Sequence, residues 1–221
     1  MYQQLKTQFL EIITPFLAGY GFNFEKSLSS HKVKFYSHIK ENNTNRIRFE
    51  MRESVDLYID INAIIINEEV GQIRKKFKEG VDLGNNYFTV AASISKIIPP
   101  THILYRLKPY CISADVRFPL SKTVSEIEQL FIEVIFPFFD QYQTIPDLDK
   151  WFNQPILDGT YDFFRSATWN DSIQGLIVAK LNHNPQYERL YQLWLKNIHP
   201  DKKQEIDMIK AVKIFLDGLK V

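Results

Sequence analysis

The stretch Thr123–Tyr142, TVSEIEQLFIEVIFPFFDQY, decides how the rest of the chain is arranged. Its apolar residues recur at helical spacing and form a stripe wide enough to cover a sheet. They are Val124, Ile127, Leu130, Phe131, Val134, Ile135, Phe138 and Tyr142. Thr123 and Glu126 match a capping box at the helix start, and Pro137 predicts a kink near Glu133. Strand patterns precede this helix and helix patterns follow it, which predicts an α+β fold.

Runs of alternating apolar and polar residues predict the strands. They are Val33–Ile39, Arg46–Arg52, Val55–Ile61, Tyr87–Ile98 and Tyr110–Phe118. The polar cluster Glu41–Asn45 is typical of a turn between the first two runs. We therefore expect an antiparallel meander of about five to six strands. An N-terminal helix, which ends at Gly19 and Gly21, and the long central helix are expected to pack on one face of it.

The domain organisation follows from a change of pattern near Asp158, after which the periodicity is helical throughout. Residues 1–157 are predicted to form the α+β sheet domain. Residues 158–221 are predicted to form an all-helical C-terminal extension. Because a helical segment of this length is small for an independent domain, we expect it to dock on the first.

Composition narrows the classes of partner and compartment. The formal net charge of +1 gives no general attraction to nucleic acid or to an anionic membrane, so neither partner is predicted. No apolar run approaches the roughly 18 residues of a membrane span, and the N-terminus lacks the basic region of a signal peptide. The single cysteine, Cys111, cannot form an internal disulfide. A cytoplasmic location is the expectation.

Three segments carry a resemblance to a known group of proteins. They are LAGYGF at Leu17–Phe22, HKVKFYSHI at His31–Ile39 and FPFFDQYQTIPDLDKWF at Phe136–Phe152. In content and order they resemble an uncharacterised bacterial α+β family over residues 1–155, some of whose members resemble immunity proteins encoded beside toxins. The resemblance implies the same sheet architecture and a protein partner such as a toxin. It supplies no catalytic residue.

Catalytic and metal-binding motifs are missing from the sequence. No HExxH, GxSxG, P-loop, GxGxxG or CxxC pattern occurs, and the five histidines are widely spaced. Cys111 alternates with apolar residues in a strand pattern, which is typical of a structural thiol. We therefore predict no catalytic residue, no metal site and no cofactor.

Charged and aromatic residues of the meander form the main candidate site. Period two places Arg46, Arg48 and Arg52 on one side of their strand. Tyr36 and Tyr58, on the neighbouring runs, are expected to share that face. One interpretation is a ladder of cross-strand charge pairs. The other is a surface through which a non-catalytic, immunity-type module binds a partner protein, since Arg and Tyr are common at binding hot spots.

Two alternatives place the site in the helical extension. In the first, Tyr161, Arg165 and Trp169 gather in a pocket between the sheet and the extension, and the protein is an enzyme or binds a small ligand. In the second, His199-Pro200-Asp201 is similar to the His-Pro-Asp signature of J-domains, the co-chaperones of Hsp70. The flanking helix offers only Arg189 and Lys196 toward the basic face of that family, and a proline that opens a helix also explains the tripeptide.

Overall fold

The computed structural model describes residues 2–77, 88–98, 101, 109–113, 117–161 and 169–219. These residues form an antiparallel sheet together with helices, which confirms the predicted α+β class. The chain divides into two compact units, Met1–Glu68 with Phe88–Asp140 and Glu69–Tyr87 with Gln141–Val221. The predicted boundary after residue 157 lies within the second unit. The docking of a helical extension on the sheet domain stays a prediction.

The sheet contains the six strands β1 Asn23–Phe24, β2 Val33–Lys40, β3 Asn43–Glu53, β4 Leu57–Asn67, β5 Val90–Ser93 and β6 Tyr110–Ile112. Strands β1 to β4 follow one another in antiparallel order. Both β5 and β6 pair with β4, at Asn62–Ile65 and at Leu57–Ile59 respectively. The expected number of strands is therefore confirmed, whereas the Tyr87–Ile98 strand is shorter than predicted because helix begins at Ile94.

The helices are α1 Tyr2–Gly19, α2 Glu68–Phe77, α3 Ile94–Ile97, α4 Leu120–Leu130, α5 Phe136–Gln141, α6 Ile145–Leu157, α7 Trp169–Leu181, α8 Tyr187–Lys196 and α9 Lys203–Asp217. A π-helical turn, Phe131–Ile135, joins α4 to α5. The backbone N–H of Phe136 donates to the carbonyl of Phe131 across this turn. The turn lies where Pro137 predicts a disturbance of the helix, and prolines and π-turns are both known causes of bends.

The start of the central helix differs from the predicted capping box. Helix α4 begins at Leu120, so Thr123 lies inside it and is buried. The Thr123 hydroxyl donates to the carbonyl oxygen of Cys111 at 2.9 Å. This hydrogen bond ties α4 to β6 instead of capping a helix end.

The core of the first unit lies between one face of the sheet and two helices. Phe49 on β3 is fully buried and meets Phe9 of α1 edge-on, with ring centroids 5.6 Å apart. Its ring also lies 5.9 Å from that of Phe131 in the π-turn. The N-terminal and central helices thus pack on the same face, as the sequence predicts. The opposite face of the sheet is the outer face.

The second unit is helical and has its own buried side chains. On α6, α7 and α8 these include Leu148, Phe152, Ile156, Ile173, Leu176, Ile177, Leu190 and Trp194. Helix α9 adds Ile209, Val212 and Leu216. Helix α7 has apolar residues on nearly all sides, which suits a helix enclosed by its neighbours.

Candidate functional site

The outer face of the sheet carries the arginines predicted to form the site. Ile47, Phe49 and Met51 of β3 are fully buried, so the residues between and beside them point away from the core. Strand pairing extends this face across three strands. Its members are Val33, Phe35, Ser37, Arg46, Arg48, Glu50, Arg52, Tyr58, Asp60 and Asn62. The sequence thus placed Arg46, Arg48, Arg52 and Tyr58 together on one face correctly.

Tyr36 is not on the outer face, and the expectation that it shares this face is wrong. It lies opposite Ile47, is 1% exposed, and its hydroxyl is 2.7 Å from that of Thr14 on α1. Burial raises the pKa of Tyr36, against the effect of the hydrogen bond to Thr14. Buried in the core, Tyr36 contributes packing instead of a contact surface.

The arginines of the outer face each have a partner within the sheet. Arg48 donates to the carboxylate of Glu50 at 2.5 Å, and Arg52 forms an ion pair with Asp60. Glu50 lies directly opposite Asp60, an arrangement of like charges that is unfavourable without neighbouring cations. The two ion pairs neutralise that arrangement. Since such pairs on a surface contribute only about 0–1 kcal/mol, they account for little of the stability.

Arg46 differs from the other two because its contacts are to neutral groups. Its Nε donates to the Ser37 hydroxyl at 2.9 Å, and its guanidinium lies 5.9 Å from the centre of the Phe35 ring. Burial lowers the pKa of Arg46, and the carboxylate of Glu25 opposes that shift. A guanidinium over an aromatic ring is a favourable contact even without a carboxylate partner.

The pocket alternative is described only in part. The Tyr161 hydroxyl donates to the carboxylate of Asp171 at 2.9 Å, and its ring meets that of Trp194 edge-on at 5.1 Å. Arg165 and the side chain of Trp169 lie outside the described residues. The proposed gathering of Tyr161 with these two residues stays a prediction.

The His-Pro-Asp tripeptide forms the turn between α8 and α9. His199 and Asp201 expose 69% and 90% of their side chains, and the His199 Nδ1 lies 3.3 Å from the Asp201 carboxylate. The backbone N–H of Asp201 also points to that nitrogen, at 3.4 Å. Pro200 lies between them in the turn. The contacts are local ones that any turn of this sequence could make, and the J-domain interpretation stays a prediction.

A buried polar network in the second unit was missed from the sequence. We call it the amide network, formed by Asp149, Asn153, Asn182, Asn184 and Trp194. The Asp149 carboxylate accepts from the side-chain amides of Asn153, Asn182 and Asn184 at 2.6, 2.6 and 2.7 Å. Asn153 also donates to the carbonyl of Gly175 at 2.8 Å and accepts from the indole N–H of Trp194 at 3.1 Å. Asp149 and Asn153 are one helical turn apart, but Asn182, Asn184 and Trp194 lie too far along the chain for a spacing rule to connect them to that pair.

A second feature missed from the sequence is a pocket of about 120 Å³ in the first unit, which we call the aromatic pocket. Its apolar wall is made of Tyr20, Phe22, Phe136 and Phe139. His38 and Asn45 complete the lining, and the exposed ion pair of Lys40 and Asp140 borders it. The sequence contained one indication of this pocket, the segment FPFFD at residues 136–140. Phe136 and Phe139 lie outside the apolar stripe of the central helix, so they add more apolar surface than that stripe requires.

Neither a reactive thiol nor a metal cluster is found in the described part of the chain. Burial, together with the nearby Asp56 carboxylate, raises the pKa of Cys111 to about 11, so the thiol is protonated at neutral pH. Among the described residues, no three His, Cys, Asp or Glu side chains come close enough to hold a metal ion. The helices of the described ranges likewise include none that is both long and apolar enough to cross a bilayer.

Comparisons of this chain with protein-family models, with curated proteins and with solved structures find no match. The resemblance of residues 1–155 to a bacterial family therefore stays an expectation, and any function must be argued from the residues themselves.

Proposed function

We propose that this chain is a protein-binding module of the immunity type, which captures a partner protein through the outer face of its sheet. The observation that carries the proposal is the row of Phe35, Arg48 and Asn62 across β2, β3 and β4. It places an aromatic ring, a guanidinium and an amide side by side. All three side chains are half-buried within the chain, so each keeps surface for a partner.

The ion pairs within the face leave its arginines capable of binding. Arg48 donates from one nitrogen to Glu50, while a guanidinium carries several N–H donors in a fixed fork. A third of the Arg48 side chain and more than half of the Arg52 side chain are exposed. Both can therefore donate to carboxylates or carbonyl oxygens of a partner without leaving their positions.

The charges of the face define the partner. Arg46, Arg48 and Arg52 stand against Glu50 and Asp60, so positive charge is in slight excess. A partner surface with an apolar group against Phe35 and carboxylates beside the arginines complements this arrangement. The mixed signs favour a protein over nucleic acid, which requires a more uniformly basic surface.

The test is the charge reversal Arg48→Glu with a matched reversal elsewhere, Lys210→Glu, on the exposed side of α9. Wild type and Lys210→Glu should capture the same partner from a bacterial lysate, and Arg48→Glu should lose it. Lys210→Glu should melt close to wild type, and Arg48→Glu should melt lower but remain folded, because the reversal sets a third carboxylate beside Glu50 and Asp60. If the partner is a toxin, co-expression with wild type should protect growth and co-expression with Arg48→Glu should not.

Two results would contradict the proposal. Equal capture by all three proteins would leave the arginines as a ladder of charge pairs with no role in binding. If Arg48→Glu alone unfolds, the face is needed for stability and that variant cannot report on binding. Arg52→Glu, whose side chain is more exposed, then replaces it. Capture of the partner by Arg52→Glu at the wild-type level would contradict the proposal.

A further inference from the structure

The aromatic pocket is built by segments that meet beyond the end of α1. Helix α1 ends in a Schellman motif, in which Phe22 N–H donates to the Leu17 carbonyl and Gly21 N–H to the Ala18 carbonyl, both at 3.0 Å. Gly21 has a left-handed φ of 81°, and a Cβ at this residue would lie 3.3 Å from the His38 ring. The glycine therefore lets the chain turn and lets that ring approach the backbone closely. All of the pocket belongs to the first unit.

The wall of the pocket is aromatic. Phe136 lies at its centre, with ring centroids 4.4 Å from Tyr20 and 5.7 Å from Phe22. Phe139 lies 5.7 Å from Phe22, and the His38 ring meets Phe22 edge-on at 5.3 Å. Aromatic rings prefer to meet other rings in stacked or edge-on geometry. A planar ligand fits such a wall better than a branched aliphatic one.

Asn45 supplies the polar group of the pocket. It is 2% exposed, and its side-chain oxygen has no hydrogen-bond partner among the described residues. Buried polar atoms are nearly always paired, so an orphaned acceptor in the lining of a pocket asks for a donor that enters from outside. Asn45 stands on the buried face of β3, opposite His38, whose ring forms another part of the lining.

The size of the pocket limits the ligand. Its volume of about 120 Å³ is close to the ~150 Å³ of an apolar protein cavity that admits benzene. It is well below the roughly 300–1,000 Å³ of sites for drug-sized molecules. A single aromatic ring matches that volume. The Lys40–Asp140 pair beside it, with Nζ and Oδ1 3.1 Å apart, is exposed and carries both signs, so it selects no net charge.

We infer that the aromatic pocket binds a single-ring aromatic ligand that donates an N–H or O–H hydrogen bond to the side-chain oxygen of Asn45. The ring lies against Phe136 and its neighbours, and the donor points to the strand. This site is on the opposite side of the sheet from the outer face, so it stands whether or not that face binds a protein.

The test uses phenol and aniline, which carry a donor, and toluene, which has the same ring and none. Binding to the protein is followed by NMR chemical shifts, with the side-chain amide of Asn45 as the reporter. Phenol and aniline should shift that amide and bind about tenfold or more tighter than toluene, the ratio expected for one hydrogen bond to a group otherwise left unpaired. Asn45→Leu should bind all three alike.

A matched variant, Asn42→Leu, makes the same substitution at an exposed residue of the turn between β2 and β3. It should keep the preference for phenol over toluene. The inference is overturned if saturating phenol leaves the Asn45 amide unshifted in the wild type, which shows that Asn45 meets water only. It is also overturned if Asn45→Leu keeps the preference. The first of these two outcomes is measured on the wild type, so it can be tested even if a substitution unfolds the protein.

Discussion

Two buried asparagines, Asn45 and Asn153, have nearly the same exposure and opposite surroundings. Asn153 is 1% exposed, and both ends of its amide are engaged, by Asp149 and Gly175 on the nitrogen and by Trp194 on the oxygen. Asn45 is 2% exposed, and its oxygen has no partner among the described residues. A buried amide stabilises a fold when its hydrogen bonds are made inside the chain, and it destabilises the fold when they are not. The difference separates a structural group from a candidate binding group.

The amide network shows what a satisfied buried group does. Asn153 on α6 reaches α7 through Gly175 and α8 through Trp194, so one side chain joins three helices. Asp149, one turn earlier on α6, reaches Asn182 and Asn184 just after the end of α7. A carboxylate in this position needs several donors to remain buried, and it receives three.

The largest expected effect is the loss of Asn153. Asn153→Leu keeps the branched shape of the side chain but removes an acceptor from the Trp194 indole and donors from Asp149 and the Gly175 carbonyl. Each buried group left unsatisfied costs about 1–3 kcal/mol, so we expect the free energy of unfolding to fall by about 3–5 kcal/mol. Urea unfolding followed by circular dichroism measures it. A fall below about 1 kcal/mol would show that the network is not a source of stability.

The next effect tests how closely the helices must approach. A Cβ at Gly175 would lie 2.8 Å from the Asn153 Oδ1 and 3.0 Å from the Trp194 Nε1, and both side chains are buried and held. Gly175→Ala gains about 1 kcal/mol of helix propensity and loses more through overpacking and displaced hydrogen bonds. We expect a net destabilisation of about 2 kcal/mol.

Gly71 on α2 is the control for that substitution, because a Cβ there meets none of the described residues within 4 Å. Gly71→Ala should therefore show the propensity gain alone, up to about 1 kcal/mol of stabilisation in the same urea assay. If both alanines stabilise the protein, the close contact at Gly175 is not a constraint.

The sequence predicted those features that local patterns determine. The alternation of Arg46–Arg52 placed β3 correctly, and the apolar stripe of the central helix put Phe131 and Val134 in the core. The face of the sheet predicted for Tyr36 on β2 was wrong, because that face depends on the length of one turn. A five-residue turn at Glu41–Asn45 would set Tyr36 opposite Glu50, whereas the observed turn pairs Lys40 with Asn43 and sets Tyr36 opposite Ile47. A change of register by an odd number of residues moves every side chain of a strand to the other face.

That same turn explains why the aromatic pocket was missed. With the observed register, His38 and Lys40 lie on the same side of the sheet as Tyr36, and Asn45 lies opposite His38. Glu41, in the turn, has a left-handed φ of 52°, which no alternation of apolar residues reveals. The amide network was missed for a different reason, since Asp149 and Asn184 are joined across 35 positions and no spacing rule links two helices.

The smallest expected effect is a gain in stability, and it comes from replacing Asn45, the other asparagine of the comparison. Asn45→Leu replaces an orphaned acceptor with an apolar group of the same branched shape, so the desolvation cost of the unpaired oxygen is removed. We expect the free energy of unfolding to rise by about 1 kcal/mol, measured in urea without added ligand. Asn153→Leu, the identical substitution at nearly equal burial, should lower the free energy of unfolding in the same assay. A loss of stability at both positions would mean that Asn45 is held by partners of its own, and the two asparagines would then belong to one structural class. A gain at Asn45 alone shows a side chain kept at the expense of stability, which is the pattern expected where a group is retained for binding.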